Sequence, residues 1–82
     1  MNVILSRDVL KQYKNLPKAD QGKIHKKLIA LQQNPYEGKK LAGELEGIRS
    51  LRAWPYRILY EINEKKQVIE IHKIAHRQGV YR

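Results

Sequence analysis

The sequence predicts an α+β domain in the order β-α-α-β-β-β, an antiparallel sheet covered by a two-helix hairpin. Two runs of apolar residues at helical spacing stand near the N-terminus, and each is closed by a proline. From Ile48 onward the apolar period changes to two, the mark of strands with one buried face. Helices segregated in sequence from a strand meander pack as one layer on one face of the sheet.

Met1 to Leu5 is short, rich in Val, Ile and Leu, and stops at Ser6, which suits a strand running into a helix N-cap. From Arg7 the apolar residues Val9, Leu10, Tyr13 and Leu16 lie on one helical face, with Asp8 in the first turn where the helix dipole favours it. Leu16-Pro17 ends this helix, because proline lacks an amide hydrogen and disfavours helical geometry in the residue before it. The second helix starts near Pro17 or Lys18 and reaches Gln33. Ile24, Leu28 and Leu31 recur a turn apart, with Lys23, Lys26 and Lys27 largely on the other side. Gly22 weakens its first turns by about 1 kcal/mol relative to alanine. Asn34-Pro35 closes it. NPYEGKKLAGELEG holds three of the five glycines and no sustained period, so it reads as mostly loop. Three strands follow: Ile48 to Trp54, Tyr56 to Ile62 and Gln67 to Ala75. In the middle one Tyr56, Ile58, Tyr60 and Ile62 alternate with Arg57, Leu59 and Glu61, and Asn63 to Lys66 forms a short polar hairpin connection.

Eighty-two residues make one small domain, 1–82, near the lower limit at which an apolar core alone offsets chain entropy. The chain has no cysteine, which excludes disulfides and thiolate metal sites, and its three histidines lack ligand spacing. It has neither a signal-peptide pattern nor the roughly 20 consecutive apolar residues that span a bilayer. The expectation is a cytoplasmic protein that needs no cofactor or metal and contacts no membrane. Seventeen Lys and Arg against eight Asp and Glu leave a net charge of +9. The excess is spread along the body of the chain, and self-repulsion of this size is tolerated most simply for a polyanionic partner. Nucleic acid is the leading class, and an acidic protein is the second.

Three segments in this order, LAGELEGIRSLR, PYRILYEI and IAHRQGVYR, resemble the RelE/ParE superfamily of toxins from toxin-antitoxin pairs, and the ending HR...VY is more like the RelE branch. The RelE resemblance implies a ribosome-dependent messenger-RNA endonuclease that inhibits translation without cofactors. The ParE branch implies an alternative, a DNA gyrase inhibitor without nuclease activity. A third reading is a basic nucleic-acid binder or degenerate toxin.

Metal-free RNA cleavage by the neighbouring 2'-hydroxyl needs a proton acceptor, cations at the phosphorane and a proton donor for the departing 5'-oxygen. Arg57, Arg77, Tyr81 and His76 are the candidate catalytic residues. Arg57 sits mid-strand, pointing away from the Tyr56, Ile58 and Tyr60 face, where a guanidinium on a rigid element can meet two phosphate oxygens. Arg77 and Tyr81 match the family's C-terminal arginine and tyrosine, for charge stabilisation and for base stacking or a hydrogen bond to the nucleophile. His76 has the side chain whose unperturbed pKa of about 6.5 suits proton transfer at neutral pH. His72, four residues earlier, is expected on the same face, and His25 on the surface. Where the family carries two lysines on the preceding strand, this chain has Ile48, Arg49, Ser50 and Arg52, so the general base stays open: His76 or Tyr81 serves, or the enzyme is slow without help from its substrate.

Lys39, Lys40, Arg49 and Arg52 complete the RNA-binding set as phosphate contacts of low sequence information. Lys11, Lys14, Lys23, Lys26 and Lys27 form a basic outer helical face that suits ribosomal RNA or plain solvation. Trp54 is expected in core or sheet-edge packing. The resemblance further implies an acidic, RelB-like antitoxin that masks the cationic groove, the ribosome and messenger RNA as targets, and DNA contact only indirectly, through the antitoxin complex.

Overall fold

The computed structural model describes residues 1–76. Its elements are β1 (Asn2–Leu5), α1 (Arg7–Lys14), α2 (Lys18–Gln33), β2 (Lys39–Lys40), a 3-10 turn at Gly43–Leu45, β3 (Arg49–Ala53), β4 (Tyr56–Asn63) and β5 (Val68–His76). The strands form one sheet in the order β1-β5-β4-β3-β2. β3, β4 and β5 make the expected antiparallel meander. β1 adds to its free edge parallel to β5, so the sheet is mixed. Alternation of apolar residues fixes which face of a strand is buried, not the direction of its neighbour. Lys39 and Lys40, expected in loop, pair as a two-residue edge strand with Ser50 and Arg49.

Local chemistry sets the helix ends. The Ser6 hydroxyl accepts a hydrogen bond from the Val9 amide at 3.2 Å, the N-cap role read from sequence. α1 stops at Lys14, two residues short of Leu16, because the Leu16-Pro17 pair needs extended backbone. Gln21 on α2 repairs that end: its amide nitrogen donates to the Leu16 carbonyl at 2.8 Å and to the Lys14 carbonyl at 3.2 Å.

Both helices cover one face of the sheet. Val9, Ile24 and Leu31 from the helices meet Leu51, Ile58, Tyr60, Ile69, Ile71 and Ile74 from the strands in one core. Ile24, Leu31, Ile58 and Ile69 are fully buried, and burial of such a side chain is worth about 1.5–3 kcal/mol. This layer therefore outweighs any single cap or surface pair and holds the other face of the sheet in place.

Two tyrosines connect the core to polar groups at its rim. The Tyr60 hydroxyl donates to the Pro35 carbonyl at 2.7 Å and accepts from the Gly38 amide at 2.9 Å. Burial pushes this hydroxyl above the usual tyrosine range. Gly38 is obligatory here, because a Cβ at that position would lie 2.7 Å from Cε1 of the Tyr60 ring. The Tyr56 hydroxyl donates to Asp20 on α2 at 2.7 Å, and that hydrogen bond raises its pKa.

Candidate nucleic-acid interface

On the face of the sheet away from the helices, the register sets side chains in rows across the strands. Arg52 on β3 stands directly opposite Arg57 on β4, which stands opposite Ala75 on β5. The next row runs Lys39, Ser50, Leu59 and Lys73. A third row holds Glu61, Glu70 and Ile4. Side chains directly opposite on antiparallel strands have Cβ atoms about 4.5–5.5 Å apart, and like charges there repel. Arg52 and Arg57 are such a cross-strand pair, and an anion lying between the two strands can meet both guanidiniums. Two rigid forks at this spacing suit a phosphodiester. Arg57 points away from the buried face, as alternation required, and is half-buried while Arg52 is exposed. Ser50 is buried, and its hydroxyl has no hydrogen-bond partner.

β5 carries an irregularity that the alternation did not foresee. Tyr60 pairs with Ile71 and Leu59 with Lys73, so His72 is an extra residue, a β-bulge. His72 and Lys73 consequently both lie on the helix-free face. The His72 ring sits 3.0 Å from a carboxylate oxygen of Glu61, which occupies that same face. Beyond the bulge the parity of the strand is reversed: Ile74 enters the core, Ala75 faces outward beside Arg57, and His76 pairs with Tyr56. The His76 ring makes an edge contact with the Tyr56 ring at 5.5 Å between centroids. The expectation that His72 and His76 share a face is therefore corrected, because the bulge shifts one against the other. His76 stands on the helix-side face at the end of β5 and is not brought together with Arg57. Arg77 and Tyr81 lie outside the described residues.

Arg49 separates from Arg52 by the same alternation. It pairs with Tyr60 across the ladder, on the helix-side face, and its guanidinium donates to the carbonyls of Gly38 at 2.8 Å and Tyr36 at 3.3 Å. It also stacks 5.1 Å from the Tyr36 ring centroid, while the Tyr36 hydroxyl donates to Glu64 at 3.0 Å, a hydrogen bond that raises the Tyr36 pKa. Arg49 and Tyr60 together pin the segment 34–38 and so fix where Lys39 begins. Lys39 pairs with Ser50, in the row of Leu59 and Lys73, whereas Lys40 pairs with Arg49 and lines an open cleft of about 410 Å³ with Gly43 and Glu46.

Trp54 is not a core residue: it stands 56% exposed in the turn between β3 and β4, next to Pro55 across a cis peptide bond. That turn lies at the end of the sheet where Arg52 and Arg57 pair. The lysines Lys11, Lys14, Lys23 and Lys26 are exposed and Lys27 half-buried, all on the helical layer, and His25 is exposed as expected. Lys23 approaches Asp20 at 3.8 Å. Among the described residues no group of three or more His, Asp or Glu can hold a metal ion, and no helix is long and apolar enough to cross a membrane.

A family model described as the ParE toxin of a type II toxin-antitoxin system matches residues 3–81. The chain belongs to the RelE/ParE superfamily of type II toxins. A putative toxin RelE1 from Methanocaldococcus jannaschii is 31% identical over 99% of this chain and 94% of its own length. Toxin RelE from Mycobacterium tuberculosis is 42% identical over 63% of the chain, and the match spans 55% of that relative. Among solved structures, the RelBE2 toxin-antitoxin complex of Mycobacterium tuberculosis superposes with a TM-score of 0.84 at 26% identity, over 92% of this chain and 95% of that one. The archaeal RelE-RelB complex of Pyrococcus horikoshii gives 0.77 at 26% identity, over 96% and 97%. The α+β fold expected for a RelE/ParE-type toxin is thus found, with its mixed sheet and helical layer on one face.

Proposed function

We propose that this type II toxin is a ribosome-dependent messenger-RNA endonuclease, acting in the cytoplasm by attack of a ribose 2'-hydroxyl on the adjacent phosphorus. The observation that carries the proposal is the direct cross-strand pair of Arg52 and Arg57 on the helix-free face, with Lys39 and Lys73 in the neighbouring row. In the reaction the 2'-oxygen forms a bond to phosphorus, its proton passes to a base, the phosphorus–O5' bond breaks and the 5'-oxygen gains a proton. The products are a 2',3'-cyclic phosphate and a 5'-hydroxyl end. Arg57 and Arg52 hold the non-bridging oxygens, where charge increases on the way to the phosphorane. Arg77 shares that charge near the leaving oxygen, and Tyr81 stacks on a base or holds the nucleophile. Trp54, exposed at the same end, offers a further stacking surface for an unpaired base. The proton acceptor is Tyr81 or, where the substrate strand bends round the end of β5 to the helix-side face, His76.

The toxin acts inside the ribosome with a cognate antitoxin as its inhibitor. Similar solved structures include the RelBE2 toxin-antitoxin complex and an archaeal RelE-RelB complex, and a net charge of +9 favours an acidic partner that covers the cationic face. Mapping transcript 5' ends after brief expression tests the proposal: discrete new ends within translated codons are expected, and intact messengers in growth-arrested cells refute it. One observation favours a second reading, the match to a family model described as ParE. Inhibition of gyrase supercoiling with intact messenger RNA decides for that reading.

A further inference from the structure

We propose that Lys73 is a third substrate-contacting cation, delivered to the phosphate by the β-bulge at His72. The inference rests on the endonuclease reading and extends it to a residue outside the motif segments that carried the resemblance to a catalytic role. Without the bulge, strict alternation from Ile69 and Ile71 would send residue 73 into the helix-covered core. With it, Ile74 takes the core position opposite Ile58, and Lys73 emerges opposite Leu59 on the helix-free face. Bulges next to active sites re-aim a side chain in this way.

The position is specific. Leu59 and Arg57 are two residues apart on β4, so Lys73 is the diagonal neighbour of Arg57, with Cβ atoms about 7–8 Å apart. A lysine stem bridges that distance easily, and its ammonium can rotate its three donors onto a phosphate oxygen. Lys73 is exposed, and among the described residues of its row and of the Arg52–Arg57 row there is no carboxylate. The nearest acids of the face, Glu61 and Glu70, begin one row further, and Glu61 is engaged by His72. The bulge thus performs two placements with adjacent residues: His72 meets the acid, and Lys73 extends the cationic rows.

The chemistry assigned to Lys73 is charge neutralisation, with no proton gained or lost. Lys73→Met, Lys73→Arg and the hairpin control Lys65→Met are compared in two measurements, after thermal unfolding has shown all three to be folded. The first is single-turnover cleavage of a messenger in programmed ribosomes. The second is binding of a 2'-deoxy-substituted single-stranded RNA oligonucleotide over a range of salt. Lys73→Met is expected to cleave about 10- to 100-fold more slowly, below the full effect of a buried donor because Lys73 is exposed. Its log–log salt slope is expected to fall by about 0.7, the value of one phosphate contact on a single strand. Lys73→Arg is expected to restore both, with an unchanged pH profile, and Lys65→Met to alter neither. A wild-type salt slope in Lys73→Met, or a wild-type cleavage rate where the unmodified protein cleaves, overturns the proposal. A protein that cleaves nothing sinks the endonuclease reading, and the slope alone then decides whether Lys73 touches phosphate.

Discussion

Arg57 and Ile58 are chain neighbours, yet they belong to two regions with opposite physical demands. Ile58 points into the face that α1 and α2 cover, where an apolar core is joined at its rim by two tyrosine hydroxyls that have hydrogen-bond partners. Arg57 points to the other face, where like charges stand opposite one another and a buried hydroxyl has no partner. A sheet whose covered face already supplies the stability can hold an unfavourable charge arrangement on its free face. On the proposed reading, the difference teaches that the free face is organised around an anion and the covered face around stability.

Substitutions at the adjacent pair test that division most strongly. Ile58→Ala empties a fully buried site and is expected to lower unfolding stability by about 2–5 kcal/mol in denaturant titration. Folded Ile58→Ala should retain its activity per folded molecule. Arg57→Ala is expected to leave the protein folded, with a smaller loss of stability than Ile58→Ala, since Arg57 lies outside the helix-covered core. Its cleavage of ribosome-bound messenger should fall by about 10²–10³-fold. If Arg57→Ala unfolds the protein, or Ile58→Ala spares it, the two-face division is wrong.

Tyr60 sharpens the comparison, because it is a core residue whose hydroxyl fixes a loop on the way to the cationic rows. Tyr60→Phe leaves the Gly38 amide and the Pro35 carbonyl without their buried partner. The expected cost is about 1–3 kcal/mol. A pH signature accompanies it. Burial raises the pKa of this hydroxyl above 10.0 in the folded chain, so above that pH the unfolded state binds fewer protons than the native state. The contribution is therefore complete below pH 10 and is lost as pH rises. Stability measured from pH 8 to 11 should decline less steeply in Tyr60→Phe than in the unmodified protein, and parallel curves would contradict the burial argument.

Sequence reading captured the parts of this architecture that follow from local rules. Ser6 as a cap, the break at Leu16-Pro17, the polar hairpin turn, which falls one residue later than expected at Glu64 to Gln67, and the outward direction of Arg57 all depend on neighbours a few residues away. The parallel partner of β1 and the pairing of Lys39 with Ser50 depend on long-range choices that no local period encodes. Arg49 and Arg52 looked alike in sequence, and only the fold shows Arg49 held by the carbonyls of Gly38 and Tyr36. The bulge left a trace that period-two reading passed over: Ile69 and Ile71 are two apart, but Ile71 and Ile74 are three apart. That interval of three is the extra residue, and it decides both the face of His76 and the exposure of Lys73. Arg77 and Tyr81 are assigned to the site by the resemblance alone and lie outside the described residues.

The boundary between the cationic and acidic rows gives the smallest prediction and tests whether the free face has an edge. Glu61 lies in the row beyond Leu59, paired with His72, and both side chains are nearly half exposed. An exposed pair of this kind contributes little to stability, so Glu61→Gln should barely move the unfolding midpoint. Its effect belongs to binding instead. A carboxylate about 10 Å from a bound phosphate repels it by about 0.4 kcal/mol in water, a factor of about two in affinity. Glu61→Gln is therefore expected to bind single-stranded RNA about twofold more tightly at low salt, with the gain vanishing as the Debye length shrinks below that distance. A gain that persists at high salt would mean that Glu61 touches the RNA directly, and the acidic row would then be part of the interface instead of its limit.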